Sequence, residues 1–204
     1  MRPLDALVDF LAKRMTLAPK HRALIRSLTH ERALRRNQFL HRAGDQVKDQ
    51  TFVASGCLRR YVLDPKGKEH ILQFAAEGWW LSDVESILDR TPSRFFVQAV
   101  VPTQLLVLHW SAHERLLREI PGFAEAYIMG LQRQSIARER RVIAALTAPP
   151  DERYHDFLRT YPSIAASVPQ HMLASYLGIA PETLSRVRRR IGRERRLPAG
   201  RLPG

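Results

Sequence analysis

Cysteine is nearly absent from this chain: Cys57 stands alone among 204 residues. An intramolecular disulfide is therefore impossible, as is an all-cysteine zinc or iron–sulfur site within one chain. Cys57 sits in the strand-like run V-A-S-G-C-L-R-R-Y-V and reads as a small buried hydrophobe. Long apolar runs are missing too. None is long enough to span a bilayer, and no signal peptide precedes Leu4–Leu11, so no membrane segment and a cytoplasmic location are expected. Acidic residues are scarce, 20 against 33 Lys and Arg, for a formal net charge of +13. That imbalance favours a polyanionic partner, nucleic acid or an anionic surface, without choosing between them.

The most informative stretch runs from Val168 to Ile191. It predicts two short helices around a tight turn. Met172, Leu173, Ala174, Tyr176 and Leu177 form the apolar face of the first. Gly178 falls where the chain must turn, a conformation that glycine tolerates. Pro181 opens the second helix with φ preset. Leu184, Val187 and Ile191 face inward, leaving Glu182, Thr183, Ser185, Arg186, Arg189 and Arg190 outside. A helix pair that exposes Glu, Ser and Arg on its second helix has what major-groove reading requires. A helical hairpin with a merely solvated basic face is the plainer alternative.

Two short amphipathic helices open the chain, around Leu4–Leu11 and after Pro19. From about Leu34 to Trp110 the apolar residues come in short runs between turn signals, Asp64-Pro65-Lys66-Gly67 among them. This pattern predicts an antiparallel sandwich or roll, with one short helix inserted between Trp80 and Arg90. Ser111 with Glu114 reads as a capping box opening a further helix. A long helix is then predicted from Phe123 to about Thr147. It carries two apolar lines, Ala124, Ile128, Leu131, Ser135, Val142 and Ala145 in one, Met129, Ile136 and Ile143 in the other. One line is expected to pack on the roll and the other on a second copy of the chain. Pro149-Pro150 ends the helix as a hinge. A helix from Asp151 to Tyr161 follows. The Arg-, Gly- and Pro-rich tail is expected to be disordered from about Glu194.

In that order, roll, long helix, hinge and helix pair resemble the Crp/Fnr superfamily of bacterial transcription regulators. The most specific segment is L-G-I-A-P-E-T-L-S-R, joined by K-G-K-E-H-I-L-Q-F-A-A-E-G-W-W-L-S-D. The resemblance implies an α+β fold: an N-terminal antiparallel β roll (a cyclic-nucleotide-binding-like jelly roll), a long dimerisation helix, and a C-terminal winged-helix/helix-turn-helix domain. It divides the chain into a sensor domain with its N-terminal helices (1–120), the dimerisation helix (121–148), the DNA-binding domain (149–193) and a basic tail (194–204). By position it implies that Glu182, Ser185 and Arg186 read bases, and that Gln170, His171 and Thr183 contact phosphates. Arg189 and Arg190, farther along the helix, are assigned to phosphates by their position. The implied partners are a two-fold symmetric DNA duplex, a second copy of the chain, RNA polymerase and a small-molecule effector of unknown identity.

The family's cyclic-nucleotide motifs are altered here. Ser82-Asp83 stands where binders have Gly-Glu, and Arg94 is displaced by one residue with Phe95 beside it. A one-residue slip on a strand reverses the face. Classical cyclic-AMP binding is therefore not expected, and Trp80, Ser82, Asp83 and Arg94 are candidates for an altered pocket. His109-x-x-x-His113 straddles a strand end and a helix start, so it lacks the single face that haem or metal ligation needs. A roll-borne metal site would want a His-x-His pair and a following Glu; His70 and Glu77 leave one His missing. With no nucleophile–base constellation, no catalytic residue, metal or cofactor is expected, and the chain does not read as an enzyme. The competing function is a ligand-binding signalling module whose basic C-terminus meets a protein partner or an anionic surface.

Overall fold

The computed structural model describes residues 2–194. Helices α1 (Pro3–Ala12) and α2 (Pro19–Leu28) each open on a proline, whose fixed φ suits a first turn. Eight strands follow: β1 (His30–Leu34), β2 (Phe39–His41), β3 (Asp49–Ser55), β4 (Cys57–Leu63), β5 (Glu69–Ala76), β6 (Trp80–Leu81), β7 (Phe96–Ala99) and β8 (Thr103–His109). Helix α3 (Val84–Asp89) lies between β6 and β7. The strands form two antiparallel four-stranded sheets, ordered β1-β8-β3-β6 and β2-β7-β4-β5. Side chains from both, including Leu34, Val53, Leu58, Val97, Leu105 and Val107, fill the space between them. The β3–β4 turn depends on Gly56, whose φ is +89°; a Cβ there would meet the Pro102 carbonyl at 2.5 Å. The β4–β5 turn closes as expected, with Gly67 N–H donating to the Asp64 carbonyl at 2.9 Å.

Phe52, Leu106 and Leu108 face the other way from the first sheet. They pack under Leu7 and Leu11 of α1, Leu116 of α4 (Trp110–Glu119), and Phe123 and Tyr127 of α5 (Phe123–Thr147). The capping box expected at Ser111 is not formed. His109 is the N-cap, its Nδ1 accepting from Ser111 N–H at 3.3 Å, while Glu114 accepts instead from Trp110 Nε1. An imidazole acceptor at the strand end reaches the orphan N–H first, moving the N-cap two residues earlier.

Helices α6 (Pro150–Thr160), α7 (Gln170–Leu177) and α8 (Pro181–Glu194) form the C-terminal unit, which has no strands among the described residues. Its core is continuous with the outer face of the second sheet: Phe74 of β5 packs against Phe157, Tyr161 and Tyr176, with ring centroids 5.1–6.1 Å apart. Cys57 lies buried in the same cluster, as its sequence setting predicts. The tail beyond Glu194 lies outside the described residues. No described helix is long and apolar enough to cross a membrane.

Helix α5 has the expected bounds but not the expected faces. The stripe packed within the chain is Phe123, Ala126, Tyr127, Gln134 and Ala144, with Gly130, Ala137 and Arg141 half-buried along it. Neither apolar line covers the roll. Ile128, Leu131 and Val142 of one and Met129, Ile136 and Ile143 of the other are all exposed. Beyond Phe123 and Tyr127 the inward stripe is small or polar, and Arg141 there donates to the Ile71 and Leu72 carbonyls of the edge strand β5. The described residues leave both apolar lines uncovered.

Candidate nucleic-acid interface and effector cavity

The turn between α7 and α8 is built as its residues dictate. Gly178 takes φ +66°; its N–H donates to the Ser175 carbonyl at 3.2 Å, and Ile179 N–H donates to the Ala174 carbonyl at 3.1 Å. This paired closure satisfies the last carbonyls of α7. Leu184, Val187 and Ile191 are buried, so α8 presents the opposite face. Gln170 and His171 from α7 join Glu182, Ser185, Arg186 and Arg189 from α8 in lining one shallow groove of about 550 Å³. Six of the eight residues expected to meet DNA are thus brought together. Thr183 sits beside them, half-buried, accepting from Arg186 Nη2 at 3.3 Å. Arg190 does not join them: it turns back onto Asp151 of α6 at 2.9 Å and ties the helix pair to the hinge.

A second concavity, about 400 Å³, lies between the roll and α5. Trp80 and Ser82 line it as expected. Asp83 and Arg94 do not, and this corrects the sequence-based assignment. Asp83 is buried as the N-cap of α3, accepting from Ser86 N–H at 3.3 Å. Its carboxylate stands at that helix start, where an anionic ligand would meet repulsion. Arg94 points to solvent and pairs with Glu85 at 2.7 Å, both side chains more than half exposed.

The cavity's chemistry comes from residues the sequence did not single out. Arg60 of β4 and its cross-strand partner Gln73 of β5 both line it, together with Gln50, Tyr127, Gln134 and Arg138. Gln50 Nε2 donates to Tyr127 Oη at 3.2 Å. Gln50 Oε1, Gln73 Oε1, Trp80 Nε1 and Arg60 Nε are buried without a hydrogen-bond partner among the described residues. Each such group costs about 1–3 kcal/mol. Their convergence on one concavity marks it as a place where something polar belongs. Burial, and then the neighbouring Arg138, lowers the Arg60 pKa, with Asp83 acting the other way. One cue was available in the sequence: Arg59 and Arg60 are consecutive on a strand, so one of them had to face inward.

A larger cleft of about 590 Å³ lies where α5, α6 and α7 meet. Two of its arginines are engaged in holding the junction. Arg141 donates to the carbonyls of Ile71, Leu72 and Tyr176 at 2.8–3.0 Å, and Arg153 to those of Ala148 and Leu177. The histidine pair is split, His109 capping α4 and His113 fully buried, and no cluster of metal-ligating side chains occurs among the described residues.

Residues 31–119 match the family model of the cyclic nucleotide-binding domain. No curated protein sequence matches the chain. Among solved structures, CLP of Xanthomonas campestris is a c-di-GMP responsive global regulator that links cell-cell signaling to virulence gene expression. It is similar at TM-score 0.68 and 14% identity, over 90% of this chain and 96% of that one. FixK2 of Bradyrhizobium japonicum is similar at TM-score 0.67 and 17% identity, over 85% and 90%. The catabolite activator protein of Thermus thermophilus is similar at TM-score 0.50 and 24% identity, over 91% and 88%. The class so defined is one of fold: a β roll joined by a long helix to a helix-turn-helix unit. Within that class the chain is Crp/Fnr-like in fold, and its residues 31–119 are similar to the cyclic nucleotide-binding domain.

Proposed function

We propose that this protein is a homodimeric, effector-gated transcription regulator of the cytosol that binds a two-fold symmetric DNA site. The observation that carries the reading is the groove where Gln170, His171, Glu182, Ser185, Arg186 and Arg189 meet on the exposed side of α7 and α8. In the major groove, Arg186 would donate to guanine O6 and N7, Glu182 would accept from cytosine N4, and Ser185 would adapt to either. Gln170, His171, Thr183 and Arg189 would hold phosphates. Arg190 contributes less, since Asp151 neutralises it. The net charge of +13 supplies the non-specific attraction. The exposed apolar lines of α5 support a second copy of the chain packed along that helix. The outward turn of Arg94 supports an effector other than cyclic AMP. RNA polymerase is the further partner that such a regulator would meet.

Selection from a random duplex library tests the reading. The expected product is a symmetric site with half-sites about 34 Å apart. Arg186→Ala should relax one base pair per half-site and cost about 1–3 kcal/mol on the best site. Arg189→Ala should weaken all duplexes alike and lower the salt slope by about one unit. If Arg186→Ala selects the same sequence, the base-reading assignment fails. If the wild type selects nothing, the signalling-module reading replaces this one.

A further inference from the structure

We infer that the cleft where α5, α6 and α7 meet binds a fatty carboxylate, its acid group on Arg140 and its chain laid between α5 and the wall formed by α6 and α7. This cleft lies on the opposite face of α5 from the cavity against the roll, and no residue lines both.

The charge of the cleft is one-sided. Arg133, Arg140, Arg141, Arg153 and Arg159 line it against a single acid, Asp156. Asp156 is paired with Arg159, three residues along α6. Arg141 and Arg153 donate to backbone carbonyls, which bring no net negative charge. Arg133 is shared with a neighbouring concavity beside α1, whose walls carry Asp9 and Glu77. Arg140 is exposed at the cleft and has no hydrogen-bond or ion-pair partner among the described residues. Glu139, beside it in the chain, points to another side of the helix and does not line the cleft. A carboxylate would take two parallel hydrogen bonds from the Arg140 guanidinium.

The walls specify an aliphatic body. Ala137 and Ala144 line the cleft two turns apart on one face of α5, and their small side chains leave a channel along about 10 Å of helix. Opposite them stand Phe157 of α6 and Tyr176 and Leu177 of α7, all buried. These rings are already packed. Phe157 meets Phe74, Tyr161 and Tyr176, and the Arg141 guanidinium covers the Tyr176 ring at 4.3 Å. A flat base or aromatic acid would find no pair of free faces to stack between. Methylenes need only apolar contact. About 590 Å³ holds a chain of medium length. The carbonyls bound by Arg141 and Arg153 fix the walls, so the cleft is formed before a ligand arrives.

The test titrates the full-length protein calorimetrically with decanoate, below its micellar concentration, and with octanoate, decan-1-ol and decylammonium. Decanoate should bind saturably. Octanoate should bind about fifteenfold more weakly, for the loss of two methylenes. Decan-1-ol should bind at least tenfold more weakly than decanoate, and decylammonium not at all. Arg140→Gln should bring decanoate down to the level of decan-1-ol and leave the alcohol's own affinity unchanged, whereas a misfolded variant would lose both. Arg140→Lys should recover part of the loss. Ala137→Leu should fill the channel and abolish binding of both chains while the melting temperature holds, and it keeps the test decisive if Arg140→Gln fails to fold. Arg60→Gln, in the other cavity, should change nothing. In sedimentation, decanoate should leave the mass of the protein unchanged. The inference is overturned if decanoate does not bind saturably, or if decan-1-ol or decylammonium binds as tightly. It is equally overturned if Arg140→Gln or Ala137→Leu binds decanoate like the wild type, or if Arg60→Gln abolishes binding. A fall in mass on adding decanoate would assign the cleft to the second copy instead. Binding is measured without DNA, so failure of the ligand assignment is separated from failure of the DNA-binding one.

Discussion

His113 shows how far a single side chain can depart from its sequence setting. It is fully buried among aromatic rings, with the Tyr127 ring centroid 4.4 Å away and those of Trp80, Trp110 and Phe123 within 6.0 Å. Neither ring nitrogen has a partner among the described residues, and burial pushes its pKa down to about 4. The unfolded chain takes up this proton near pH 6.5, whereas the folded one resists it until about pH 4. Stability is therefore complete above pH 6.5 and falls as the pH drops through that window, by about 3 kcal/mol from this group. His113→Phe should keep the packing, remove the two unpaired nitrogens and flatten that fall, as read from thermal melts between pH 7 and 4. An unchanged slope would mean that other groups carry it; His41, also pushed down by burial, is the first to examine. From the sequence, His109-x-x-x-His113 invites a ligand-pair reading, and only the strand–helix boundary argues against it. The burial that settles the matter is tertiary. Arg60 and Arg94 are the same lesson: on a β roll, whether an arginine enters a cavity depends on register and on a bulge. Pairing slips between Arg60 and Tyr61, and no periodicity in the sequence announces it.

At the scale of elements, the limits of α5, α7 and α8 were legible within a few residues because glycine and proline mark their ends. Pro121-Gly122 precede α5, Pro149-Pro150 follow it, and Gly178 and Pro181 bracket the turn. The faces of α5 were not legible. Apolar periodicity names a surface that avoids water but not what covers it. Here the stripe against the chain's own body contains Gln134 and Arg141, and the apolar lines face out. Seven large apolar residues of α5, from Ile128 to Leu146, are at least 37% exposed. Burying such a surface against a second copy should stabilise the pair substantially, since each large side chain taken out of water contributes about 1.5–3 kcal/mol. Replacing Ile136 and Ile143 by Glu should give monomers in sedimentation at micromolar concentration while the circular dichroism spectrum is retained. An unchanged mass would move the interface off this helix.

Across the whole molecule, one guanidinium connects the β roll to the helix pair. Arg141 leaves α5, binds the carbonyls of Ile71 and Leu72 on β5 and that of Tyr176 on α7, and stacks on the Tyr176 ring at 4.3 Å. Leu72 directly precedes Gln73, which lines the cavity. On the other side of the same junction, Ser175 of α7 donates to the Glu69 carbonyl and accepts from Ile71 N–H. A shift of β5 in response to a ligand at Gln73 therefore reaches α7 through two short connections, and α8 is joined to α7 by the three-residue turn 178–180. Arg141 is half-buried, and burial lowers its pKa. Its fork geometry matters more than its charge, because the three acceptors are spread across two elements. Arg141→Ala should cost about 2–4 kcal/mol, through three lost hydrogen bonds and carbonyls left buried. Arg141→Lys should recover little of it. Amide hydrogen exchange would locate the effect. Protection should fall in α7, α8 and the Glu69–Leu72 segment, while β3 and β8 in the other sheet exchange as before. If protection drops equally in both sheets, Arg141 is a general core residue and the connection from cavity to helix pair must run elsewhere, with Ser175 as the remaining contact to test.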